Sequence, residues 1–208
     1  MIMRKLLIFI SFLFIVSCHP RNKKEKAPQS GKSSMQKTEE DNVNEYRLKT
    51  KTGKGFLVKE LKESASLGTI YVIPEGFMNT TDTFVIREAD PVAEVFTADL
   101  NGDGFDELYV VTRSAGSGSY ATVHAWSSNR DKSVTPVYVR ELPEKEKREV
   151  FKGYMGHDSV YVEDNRLVRK FPVYKNGDAN CCPSGGTKVV KYALKQGEAS
   201  WLLEIDEN

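Results

Sequence analysis

Asp99, Asn101, Asp103 and Glu107 put side-chain oxygens at alternating positions of one short loop, with Gly104 at its centre and the Phe105 carbonyl between the last two. Alternate residues of a tight loop can turn their oxygens on one centre, which is what a hard cation such as calcium needs. These five residues are therefore the candidate calcium ligands. Val110 stands where an EF-hand loop has its bidentate glutamate, and a strand-like run follows instead of a helix. Any calcium site is thus a weak one, and no cofactor is required, because Asn, Asp and Gly also build an Asx-type turn without metal.

A second segment, Arg113-Ser114-Ala115-Gly116-Ser117-Gly118-Ser119-Tyr120, offers small hydroxyls on glycine-rich backbone and ends on an aromatic ring. It lies between two strongly β-type runs, so it reads as a hairpin tip that glycine allows to be narrow. It does not cradle a nucleotide: the P-loop lysine is missing, and a strand follows where a phosphate-binding helix would start. His157 is a candidate for catalysis, with Ser117, only if a hydrolase is considered. No nucleophile motif stands beside it, and a structural hydrogen bond is the expectation. The chain has 3 His and 3 Cys, widely scattered, which is not zinc-ligand spacing.

The elements that must position these residues are short. From Tyr46 onward β-type runs alternate with Gly, Asn, Asp and Pro, and strands are predicted near 46–50, 55–61, 68–73, 83–89, 92–98, 107–113, 120–127, 134–140, 158–163, 166–174, 187–194 and 200–205. Val190, Tyr192 and Leu194 share one face, Glu107 to Val111 reads as a central strand covered on both sides, and Asp164-Asn165 reads as a hairpin turn. Arg166, Arg169 and Lys170 are expected on a solvated face. Pro143 to Phe151 carries helix formers behind a proline and predicts one or two helical turns. The fold class is all-β, an antiparallel β-sandwich or flattened barrel with one short helix.

The N-terminus reads as processing and tethering. Arg4 and Lys5 precede an almost wholly apolar run from Leu6 to Val16, shorter than the roughly 20 needed to span a membrane. Ile15-Val16-Ser17-Cys18 resembles the lipobox of bacterial lipoproteins. That resemblance implies a signal peptide over 1–17 and acyl chains such as palmitate on Cys18. It also implies anchoring in the cell envelope, with the outer membrane facing the periplasm as the expected place, since His19 is not the aspartate associated with inner-membrane retention. Two or more chains give stable attachment where one does not. Residues 18–45 are polar and predicted to be a disordered tether, leaving 46–208 as one β domain. Lys+Arg 30 against Asp+Glu 29 gives a near-neutral chain, so no nucleic-acid partner is expected. With Cys18 taken by lipid, Cys181 and Cys182 remain. Their Cα atoms lie about 3.8 Å apart across a trans peptide, below the usual disulfide range of roughly 4.4–6.8 Å. Two free thiols, a strained vicinal bridge or an intermolecular link are the alternatives.

Taken in order, Asp99 to Tyr120, Gly153-Tyr154-Met155-Gly156-His157-Asp158, Asn165 to Tyr174, Gly177-Asp178-Ala179-Asn180 and Gly185-Gly186-Thr187 resemble the periplasmic inhibitors of invertebrate-type lysozyme (the PliI family) over roughly residues 90–195. The resemblance implies a protein that is not an enzyme and whose partner is a lysozyme. It carries the family's Ser-Gly-x-Tyr loop onto Ser117, Gly118, Ser119 and Tyr120, with Ser117 and Tyr120 as the contacting residues. A lysozyme cleft holds two carboxylates flanking the scissile bond, which hydroxyls can meet without burying a charge. The alternative is a calcium-stabilised envelope module binding glycan or protein. The oligomeric state is open, a homodimer among the candidates.

Overall fold

The computed structural model describes residues 42–206. The expected signal peptide, the lipidated Cys18 and the tether up to residue 41 lie outside the described residues. Twelve strands and one helix follow: β1 Val43–Lys49, β2 Gly55–Lys62, β3 Gly68–Glu75, β4 Phe84–Ala89, β5 Val92–Ala98, β6 Glu107–Arg113, β7 Ala121–Asn129, β8 Ser133–Val139, α1 Glu144–Val150, β9 Ser159–Glu163, β10 Arg166–Pro172, β11 Thr187–Gln196 and β12 Trp201–Ile205. Every predicted strand is present, with ends that differ by a few residues. β1 begins three residues before the expected domain start, because Val43 and Asn44 already pair with Leu61 and Glu60 of β2.

The strands form a four-stranded sheet in the order β1-β2-β3-β4 and an eight-stranded sheet in the order β5-β6-β7-β8-β12-β11-β10-β9. The large sheet curls into a nearly closed barrel around one core, which contains Tyr109, Val111, Ala125, Leu167, Phe171, Tyr192 and Leu203. The small sheet lies on its β6–β8 portion, and Leu48, Phe56, Val58, Ile70 and Val72 meet Leu108, Val110, Trp126 and Val134 in a second core. β6 shows the consequence. Its even-numbered apolar residues face one core and its odd-numbered ones the other, and Glu107 through Thr112 are all buried. A strand with two covered faces loses the hydrophobic-polar alternation of a half-buried one, which is why Glu107 to Val111 reads as a continuous run.

One pairing departs from the antiparallel expectation. β12 lies parallel to β8, Leu202 opposite Tyr138 and Leu203 opposite Val139, so the last strand is inserted between β8 and β11 and joins the two halves of the barrel. Asp164 and Asn165 both have positive φ, 49° and 55°, the geometry of a two-residue hairpin turn that follows strand twist. In α1, Pro143 stands at the N-cap, Glu144 and Glu146 lie in the first turn, and Lys147 and Arg148 in the last, an arrangement matched to the helix dipole.

Candidate functional site

The β6–β7 connection, residues 114–120, is a short tip on strands anchored in both cores. The Ser114 N–H donates to the Tyr120 carbonyl at 3.0 Å, and the Ser119 N–H donates to the Gly116 carbonyl at 3.0 Å, closing a turn. The Ser114 hydroxyl accepts from the Tyr120 N–H at 2.9 Å. Ser119 sits at φ 46°, a left-handed conformation uncommon for a residue with a Cβ and found where the surroundings enforce it. Ser117 is exposed and Tyr120 is 44% exposed. Among the described residues, nothing hydrogen-bonds the hydroxyl of either one.

The tip is held from behind by two other loops. The His157 N–H donates to the Gly118 carbonyl at 2.7 Å. The Asn180 amide donates to the Ser117 carbonyl at 3.0 Å, and its carboxamide oxygen lies 3.3 Å from His157 Nε2. The Tyr120 ring meets the Tyr154 ring edge-on, centroids 5.5 Å apart. A Cβ on Gly118 would strike that Tyr120 ring at 2.4 Å, so only glycine lets the ring fold back over the turn. His157 therefore makes a structural contact, as its sequence context indicates, and its ring faces Asn180.

Beneath the tip is a buried ion pair. The Asp158 side chain is fully buried. It accepts from the Ala121 N–H at 3.1 Å and from Arg169 Nε, while its carbonyl accepts from Arg113. Arg169 also donates to the Ala121 carbonyl at 2.9 Å and to the Tyr154 hydroxyl, with its guanidinium 5.0 Å from the Tyr154 ring centroid. Burial opposes the charge of Arg169, but Asp158, Tyr154 and Tyr192 together outweigh it and raise its pKa. Burial pushes the Tyr154 hydroxyl up to about 12. The cluster ties the β6 and β7 ends that carry the tip to β9 and β10.

Arg169 thus corrects the expectation of a solvated face. Alternate residues of a strand share a face, and Leu167, Arg169 and Phe171 all point toward the barrel core, where the arginine is neutralised by Asp158. That periodicity was the available signal. Arg166 is half-buried against Asp206, and Lys170 alone is exposed as expected. Gly156 and Asn180 entered only as parts of the resembling segments, and nothing marked their bracing roles, which depend on loops far apart in sequence.

The acidic loop lies outside this cluster. Asp99 accepts from the Gly102 N–H at 2.7 Å and the Gly104 N–H at 3.0 Å, and the Lys51 ammonium donates to it. Burial raises its pKa, but the Lys51 contact and these amides outweigh that and lower it. Asn101 accepts from the Asp103 N–H at 2.9 Å, and Asp103 from the Phe105 N–H at 2.9 Å. Glu107 is completely buried and accepts from the Leu100 N–H at 3.0 Å. Burial pushes its carboxyl up to about 8, with the charges of Asp99, Asp103 and Asp106 adding to the effect. Among the described residues, no group of three or more His, Cys, Asp or Glu is placed to hold a metal ion.

Residues 59–148 match the family model described as periplasmic lysozyme inhibitor of I-type lysozyme. This stretch of the chain is similar to that family. The match covers β3 to β8, the acidic loop and the whole tip. By its description that family is periplasmic and inhibits lysozyme of the I-type. The bracing loops around Gly156 and Asn180 fall beyond the matched residues. The comparisons with curated proteins and with solved structures give no match. Among the described residues, no helix is long and apolar enough to cross a membrane.

Proposed function

We propose that this protein inhibits I-type lysozyme by inserting the Ser117–Tyr120 tip into the enzyme's active-site cleft, and that it is not itself an enzyme. The observation that carries this reading is the combination at the tip. Its backbone is held by His157 and Asn180 and its Tyr120 ring packs on Tyr154, while the Ser117 and Tyr120 hydroxyls stay exposed and uncommitted. A loop already held in one shape loses little conformational freedom on binding, which favours affinity. The segment from Ser114 to Tyr120 contains no carboxylate, so it meets two lysozyme carboxylates without like-charge repulsion. Hydroxyls can donate to an ionised carboxylate and accept from a protonated one. Tyr120 supplies the aromatic area typical of interface anchors.

The anchoring reading accompanies it: lipid on Cys18 holds the domain at the outer membrane, facing the periplasm, where it protects peptidoglycan. Labelled fatty acid should enter the protein and be absent from Cys18→Ala. Function is tested by titrating the protein against I-type, chicken-type and goose-type lysozymes. The reading expects stoichiometric loss of lysis with the I-type enzyme. Undiminished lysis by that enzyme at excess protein overturns it.

A further inference from the structure

Asn180, which holds the tip through the Ser117 carbonyl, is followed directly by Cys181 and Cys182. Both cysteines are free and exposed, and the neighbouring Cys181 side chain pushes the Cys182 thiol up. The turn that presents them is closed by the Cys182 N–H donating to the Ala179 carbonyl at 2.9 Å. Asp178 fixes its base, accepting from the Lys175 N–H at 2.7 Å, the Ser184 N–H at 2.8 Å and the Ser184 hydroxyl at 2.9 Å. Asn180 is tied in three directions: to Ser117, to His157 and, through its carbonyl, to the Tyr174 hydroxyl at 2.8 Å.

We propose that Cys181 and Cys182 are a redox-modification site for disulfide oxidants, and that closing a vicinal disulfide there loosens the inhibitory tip through Asn180. The thiolate of one cysteine attacks an incoming disulfide, forming a mixed disulfide and expelling one thiol. The neighbouring thiolate then attacks the protein sulfur of that mixed disulfide and expels the second thiol. The protein loses two protons and two electrons, and the oxidant becomes two thiols. Adjacent Cα atoms sit about 3.8 Å apart, closer than the roughly 4.4 Å at which disulfides begin, so the ring forms only if the backbone around the 181–182 peptide changes. Asp178 and Ser184 hold the flanks, and the change is confined to Ala179–Pro183. Asn180 lies inside that span and cannot keep all three of its contacts. Exposed, strained disulfides are readily reduced again, which makes the modification reversible.

The consequence for inhibition rests on the proposed function, whereas the dithiol and its link to the tip do not. The test equilibrates the full-length protein in glutathione buffers running from reducing to oxidising. Peptide mapping by mass spectrometry then locates any disulfide and separates it from Cys18. Expected are an intrachain Cys181–Cys182 bridge, shifted amide resonances for Ser117, Gly118 and His157, and inhibition weaker by roughly three- to tenfold, the equivalent of about one net hydrogen bond. Reductant should restore both readouts. The double variant Cys181→Ser/Cys182→Ser should keep the reduced behaviour in every buffer. Asn180→Ala should still form the bridge yet show no redox-dependent change in inhibition. Bridges found only between chains or to glutathione, or an intrachain bridge that leaves the tip amides unmoved, would overturn the proposal. The amide readout decides it even where no lysozyme is inhibited.

Discussion

Gly156 packs so closely on Gly118 that a Cβ added to it would lie 1.8 Å from the Gly118 carbonyl oxygen. Gly156 also has φ 88°, where a side chain is strained whatever the space. The loop behind the tip and the tip itself therefore meet backbone to backbone, and the exposed Ser117–Tyr120 face is set by residues that need never touch a partner.

Gly156→Ala should consequently displace the tip while the barrel core stays intact. The expected result is an inhibition constant raised by roughly tenfold or more, about 1.4 kcal/mol, with a circular dichroism spectrum like the parent's. An unchanged inhibition constant would mean that the tip tolerates displacement.

The Asp158–Arg169 pair makes a different prediction. Arg169→Met leaves a buried carboxylate short of its charged partner, and breaking such a pair from one side costs about 3–5 kcal/mol. For a domain of this size each kcal/mol lowers the melting temperature by roughly 2–4 °C, so a fall of about 10 °C is expected by calorimetry. A variant melting within a degree or two of the parent would show that Asp158 is satisfied by Ala121 and Arg113 alone.

Glu107 should give stability a pH dependence opposite to that of an ordinary surface carboxylate. Its folded pKa, about 8, lies above its ordinary value of 4.5. Between those values the folded protein keeps a proton that the unfolded chain has released, so stability is fullest below pH 4.5. It declines as pH rises through the window to about 8 and levels off above. The span is on the order of a few kcal/mol. Glu107→Gln should flatten this contribution and melt higher than the parent at pH 8.5. Parallel melting profiles for the two proteins across pH 5–9 would contradict it.

The acidic loop already carries a cation, since the Lys51 ammonium contacts Asp99 and lies 3.7 Å from Asp106. Calcium at Asp99, Asn101, Asp103, the Phe105 carbonyl and Glu107 would compete with it. Calcium binding there is expected to be at most weak, no tighter than on the order of 10⁻⁴–10⁻³ M, as in extracellular modules, and would be read as a small rise in melting temperature with added calcium. Asp103→Ala should abolish the rise. A flat response in the parent would leave the loop a turn and nothing more.

The sheets were legible because the signals for a strand are local: period-two alternation in Lys188 to Leu194, and Asp164-Asn165 with its tolerance of positive φ. The tip was legible as a glycine-rich connection between two strong strands. Its bracing was not, since the contacts of Gly118 with Gly156 and of Ser117 with Asn180 join loops dozens of residues apart, and no local pattern encodes such a meeting. Arg169 was misplaced because charge suggests solvent, whereas its register with Leu167 and Phe171 points inward. The parallel seating of β12 beside β8 likewise depends on the return path of the chain, which alternation does not specify.

The most direct test of the inhibitor account compares inhibition of I-type lysozyme with thermal stability for Tyr120→Ala, Ser117→Ala and a control, Ser66→Ala, an exposed hydroxyl on the β2–β3 connection. Truncated interface anchors cost about 2 kcal/mol or more, roughly thirtyfold in affinity, and that is the rise in inhibition constant expected for Tyr120→Ala. Ser117→Ala should cost somewhat less, because it loses a hydrogen bond to a carboxylate worth about 1.5–3 kcal/mol but little contact area. Ser66→Ala should match the parent, and all three should melt close to it. If Tyr120→Ala and Ser117→Ala inhibit as strongly as the parent does, the tip does not enter the lysozyme cleft.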